Sequence, residues 1–187
     1  DFETSPSTPT ISFTNTNGAY STGSNGGRTT GNLFAGGTRG WAMTANSTST
    51  VIFANQSLSG YTNCFIDFRL AAFSTNTSNG IDAADKVTVS ISVDGGTTYS
   101  NEITVAGSAA NQYWDFSATG SNTVTYDGDN TPTAVTSSTG TGGISTVKIN
   151  IPNTNTQVRV KIVMLTNDAT EKFVIDDLRI RGTSTAV

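Results

Sequence analysis

The chain has 187 residues, with 10 Lys and Arg against 14 Asp and Glu, no His and one Cys, for a net charge of −4. That excludes an internal disulfide and an imidazole-based catalytic or metal centre, and it argues against a basic surface that could displace phosphate counterions, so nucleic acid is not an expected partner. Ser and Thr together make roughly thirty per cent of the residues, Gly and Asn are frequent, and the helix formers Leu, Glu and Lys are scarce, which is a composition of strands and turns.

The alternation of apolar residues begins at Ile11 and Phe13, which predict a short first strand. Residues 21–40 are rich in Gly, Ser and Thr and read as a loop with one short strand at most. Trp41-Ala42-Met43 and Val51-Ile52-Phe53 follow as short strands. Cys64, Ile66, Phe68 and Leu70 share one face of a long strand, with Phe65, Asp67 and Arg69 on the other. Val87, Val89, Ile91 and Val93 give the clearest period of two. Ile103 with Val105, Trp114 with Phe116, Val147 to Ile151, Val158 to Ile162 and the closing stretch 173–181 complete about ten strands. Two polar stretches, 74–85 and 127–143, read as long loops.

No helical period appears anywhere. The pattern predicts an all-β fold over residues 1–187 as one domain: an antiparallel two-sheet β-sandwich of jelly-roll type, without substantial helix. No run of about twenty apolar residues is present, so no transmembrane helix is expected. The chain begins at Asp1 without Met, as in a mature, processed product, and a secreted location is expected. Cys64 falls on the apolar phase of its strand and is expected to be a buried, inert thiol.

Ser92-Val93-Asp94-Gly95-Gly96-Thr97-Thr98-Tyr99 resembles the Asp-box hairpin, in which the Asp accepts turn amides and the glycines supply positive φ. With one copy, its expected role is structural. Asp127-Gly128-Asp129-Asn130 reads as a plain turn, because the later acidic ligand of a calcium loop is missing.

The two ends carry a more specific likeness. Phe2-Glu3 near the start and Ile175-Asp176-Asp177 in the last strand resemble the calcium site of jelly-roll carbohydrate-binding modules and MAM-like domains. That resemblance implies one structural Ca²⁺, with Glu3 and Asp176 as ligands and Asp177 as the further candidate. A second likeness runs through Leu70 to Ser74, Asn79 to Asp82, Asn111 to Phe116 and Glu171 to Asp177. It resembles a β-sandwich domain of secreted Bacteroidota cell-surface proteins exported by the type IX system, a family that implies no activity.

Without His, a hydrolytic triad lacks its usual base, and the acidic residues sit mostly in turns or at the ends, so no enzyme is expected. The leading expectation is a non-catalytic extracellular structural or adhesive module. It would self-associate as a subunit of a surface filament or array through a strand edge around Thr10, Ile11 and Phe13. The alternative is a calcium-stabilised carbohydrate-binding module of a larger secreted protein, with Tyr113 and Trp41 as the glycan-facing rings.

Overall fold

In the computed structural model, residues 2–3 and 11–185 are described. In chain order the strands are β1 (Phe13–Thr16), β2 (Gly18–Ser21), β3 (Gly40–Met43), β4 (Thr48–Phe53), β5 (Gln56–Ser57), β6 (Tyr61–Ser74) and β7 (Lys86–Ser92). They continue as β8 (Ser100–Gly107), β9 (Gly120–Thr125), β10 (Thr133–Ser137), β11 (Ile144–Asn150), β12 (Gln157–Leu165) and β13 (Glu171–Ser184). One sheet has the order β1-β4-β12-β7-β8-β10, with β5 beside β12, and the other β2-β3-β13-β6-β11-β9. The two-sheet sandwich read from the alternation is therefore the fold.

The inner faces are the predicted ones. Cys64, Ile66, Phe68, Leu70 and Ala72 of β6 meet Val51, Val87, Val89, Ile91, Val160 and Ile162 of the facing sheet in one core, and all are buried. Burying each such aliphatic side chain stabilises the fold by about 1.5–3 kcal/mol, and the period of two sends these residues to one face. Cys64 is buried and free, and burial pushes its thiol up.

Adjacent strands are antiparallel except at one side of the sandwich, where β10 runs parallel to β8 and β9 parallel to β11. The chain crosses between sheets on both sides. Asn17, at φ 51°, is the single residue between β1 and β2. The turn 126–132 carries β9 of one sheet into β10 of the other.

Two sequence expectations need correction. Trp114 and Phe116 do not form a strand with a common face. Trp114 makes only an isolated bridge to Ala72 and enters the main core, where its Nε1 donates to the Leu70 carbonyl at 3.2 Å. Phe116 instead packs on Phe73 at a centroid distance of 6.4 Å, in a second apolar layer with Ala42, Ala71 and Val174 on the outside of the six-stranded sheet. The stretch 127–143 is not one loop, since it contains β10 and a 3₁₀ turn at Gly140–Gly142. The 21–40 stretch is the loop expected, and it packs Leu33 and Ala35 over that second layer.

Candidate functional site

The acidic ends come together through the 33–39 loop. Glu3 Oε1 accepts the Thr38 and Arg39 amides, both at 2.7 Å, and Oε2 accepts the Thr38 hydroxyl at 2.7 Å. These bonds, the hydroxyl first, hold its carboxyl below the usual range. Asp176 is fully buried and accepts the amides of Ala35 at 2.8 Å, Gly36 at 3.1 Å and Asp177 at 2.7 Å. Burial raises its pKa and the amides pull it back. Asp177 sits in a β13 bulge at φ 52° and pairs with Arg179 at 3.3 Å.

Ca²⁺ takes about six to eight oxygen ligands. The groups turned toward Glu3 and Asp176 here are N–H and O–H donors. Among the described residues, no three His, Cys, Asp or Glu side chains converge as a metal-holding group. As arranged, Glu3 and Asp176 hold the 35–39 stretch of the loop through its amides, while Asp177 pairs with Arg179. Chelator titration of the melting temperature reads the difference: a drop assigns an ion, and no change leaves the amide bonds as the whole of this site.

The two predicted glycan rings part company. Trp41 is 3% exposed. The edges and faces of Phe13 at 5.1 Å, Tyr20 at 5.1 Å and Phe2 at 5.9 Å surround it. It is a core residue and offers no platform, because the chain's own rings already surround it. Tyr113 is half-buried, with the Arg28 guanidinium 5.1 Å from its ring centroid. Arg28 is fixed there by the Ser78, Asn79 and Asn111 carbonyls at 3.5, 3.4 and 3.3 Å. One face of Tyr113 is therefore taken.

The suspected assembly strand is also engaged. Phe13 starts β1, which pairs antiparallel with β4. Its ring packs at 5.3 Å from Phe2 and 5.9 Å from Phe53, and Ile11 also packs against the core. Thr10 lies outside the described residues.

A groove that the sequence reading did not propose lies on the outer face of the six-stranded sheet. Its volume is about 410 Å³, and Asn63, Phe65, Thr125, Lys148, Asn150 and Asn153 line it together with Cys64, Ile151 and Pro152. The strand register builds it. Phe65 of β6 stands between Asn150 of β11 and Arg181 of β13, and the next outward residue, Asp67, stands between Lys148 and Arg179. Lys148 Nζ lies 4.0 Å from the Phe65 ring centroid. The side-chain Oδ1 of Asn153 accepts the Asn63 backbone N–H at 2.8 Å and holds the rim. Asn63 itself takes φ 52°, a left-handed conformation that Asn tolerates. A half-buried ring bordered by three carboxamides and a hydroxyl has the chemistry to contact the apolar face of a pyranose and its hydroxyls together.

The other outer face carries Tyr99, 4.4 Å from Lys161 Nζ. It caps the Asp94 turn. Asp94 accepts the Ser92 hydroxyl at 2.7 Å, the Thr97 amide at 3.0 Å and the Thr98 hydroxyl at 2.6 Å, so its carboxyl is held far below the usual range. The structural role expected of this hairpin is what these bonds show.

No family model matches the chain, and no curated protein matches it. Among solved structures it is similar to TmCBM61 in complex with β-1,4-galactotriose, at 9% identity and a TM-score of 0.50, over 91% of this chain and 88% of that one. It also aligns with an exo-β-agarase at 13% identity and TM-score 0.46, covering 99% of this chain but 25% of that one. A family 16 carbohydrate-binding module aligns at 12% identity and TM-score 0.36, over 78% of each chain. The first of these shares the β-sandwich fold.

Proposed function

We propose that this protein is a non-catalytic carbohydrate-binding module that holds an extracellular polysaccharide in the groove over Phe65. The observation that carries it is the composition of that groove: one half-buried ring, three carboxamides and a hydroxyl around about 410 Å³. The likeness of the fold to a sandwich solved with a galactotriose supports the reading at the level of architecture. The filament reading has less behind it: Ile11 and Phe13 turn into their own core, and what β1 leaves to a partner is the unpaired backbone side of an edge strand.

The acid pair whose proton affinity is raised most clearly by its surroundings is closed off from solvent. Asp85 and Glu171, whose pKa values rise through burial, are 0% and 4% exposed and sit beneath the loops.

The test is affinity electrophoresis and calorimetry against soluble plant and algal polysaccharides. Phe65→Ala is expected to weaken binding by tenfold or more, an effect of about 1.4 kcal/mol, with the melting temperature little changed. Tyr113→Ala is expected to leave binding intact. Tyr113 neighbours Trp114, whose bridge partner Ala72 stands seven residues along β6 from Phe65, about 23 Å away. Loss on Tyr99→Ala with Phe65→Ala unaffected would move the site to the seven-stranded sheet. No binding to any polysaccharide would remove the proposal.

A further inference from the structure

We infer that the ligand of the Phe65 groove is an acidic saccharide, bearing a carboxylate or sulfate ester; this rests on the glycan reading above and narrows it. The chain as a whole is acidic, at −4, yet among the described residues the only charged one lining the groove is Lys148. Among the described residues Lys148 makes no ion pair; the two pairs on this face are Arg179 with Asp177 at 3.3 Å and Arg181 with Asp67 at 3.8 Å. Arg181 borders Phe65 directly, with 47% of its side chain exposed. Arg69, on the same face, has its Nε committed to the Ser145 carbonyl at 3.0 Å and its Nη2 to the Phe116 carbonyl.

The placement of Lys148 makes the choice of ligand. Its ammonium lies over the Phe65 ring, where a sugar face must sit. A neutral sugar displaces it, forfeits the cation–π contact and returns nothing to the charge. An anionic sugar draws the ammonium off the ring into a charge-assisted hydrogen bond, and the uncovered ring then takes the sugar face. Arg181 on the far side of Phe65 supplies a second donor to the same anion, with Asp67 as the competing partner it must leave. The carboxamides of Asn63 and Asn150, and the Nδ2 of Asn153, remain for the hydroxyls. Lys148 thus covers the ring against neutral sugars and opens it to acidic ones.

The experiment measures the affinity of the intact chain for polygalacturonate, a sulfated galactan and neutral β-1,4-galactan, each with the wild type, Lys148→Ala and Phe65→Ala. Acidic ligand is expected to bind preferentially. Lys148→Ala should cost it about tenfold while leaving neutral galactan unchanged or bound more tightly, because the ring is uncovered. Phe65→Ala should weaken both. Binding to polygalacturonate alone assigns a carboxylate, and to the sulfated galactan alone a sulfate. Neutral galactan bound as well as the acidic polymers, with Lys148→Ala without effect and Phe65→Ala still damaging, overturns the acidic assignment and leaves the glycan reading standing. Polyanion binding that survives Phe65→Ala is surface electrostatics and overturns it also. No binding to any of the three overturns the acidic assignment, and no binding across the wider polysaccharide panel overturns both.

Discussion

Trp41 and Phe65 show how little a residue type says until its face is known. Both are aromatic residues on strands of the six-stranded sheet, but Trp41 is ringed by Phe2, Phe13 and Tyr20, while Phe65 faces outward. Trp41→Ala is expected to destabilise the fold by about 3–5 kcal/mol, as emptied aromatic sites do, measured by urea unfolding. A loss below about 1 kcal/mol would mean the ring cluster is not part of the cooperative core. Glu171 gives a second test at this scale. Burial first, then the neighbouring Asp85 carboxylate, pushes its pKa from 4.5 up to about 7, and its Oε2 is buried with no hydrogen-bond partner. A carboxyl whose folded pKa is raised binds its proton more tightly in the native state. Its contribution is fully present below about pH 4.5 and is lost as pH rises toward 7. Glu171→Gln, neutral throughout, should therefore show a shallower fall in melting temperature across that window than the wild type. An equal or steeper fall would show that the group does not carry the change. Glu3 and Asp168, whose pKa values are lowered, act with the opposite sign and support stability once pH exceeds their unfolded values.

Elements with an inner face of several branched residues were legible from alternation alone. β6, β7 and β12 follow the expected phase because every second side chain is buried against the other sheet. β9 and β10 were not legible for a physical reason. Each is a sheet edge with a single valine, Val124 or Val135, and neither valine is fully buried. Parallel pairing to β11 and β8, not apolar burial, fixes them. The Phe65 groove was hidden for a related reason. The outward phase of Phe65 could be read, but Lys148, Asn150 and Arg181 reach it only through the register of β11 and β13. The β7–β8 hairpin, by contrast, was written in local chemistry. Gly96 takes φ 100°, and a Cβ there would stand 2.6 Å from Arg159 Nη1. Gly96→Ala is expected to cost about 1–3 kcal/mol of backbone strain in a denaturant titration. A neutral result would mean the turn relaxes to another type.

At the scale of the whole molecule, the sandwich is laced on both sides, by Asn17 and by the 126–132 turn, and its two outer faces differ. One end of the six-stranded sheet is roofed by Leu33, Ala35 and Phe116, and the other is open over Phe65. The same sheet has its last strand in the middle: β13 lies between β3 and β6. On a ribosome, β3 and β6 emerge long before their shared neighbour. Until some hundred residues of further chain have been made, both present unpaired backbone edges that invite pairing with other chains. A nascent chain halted after β12 should therefore remain protease-sensitive and bound by chaperones, and folding should complete in one late step as β13 slots between its partners.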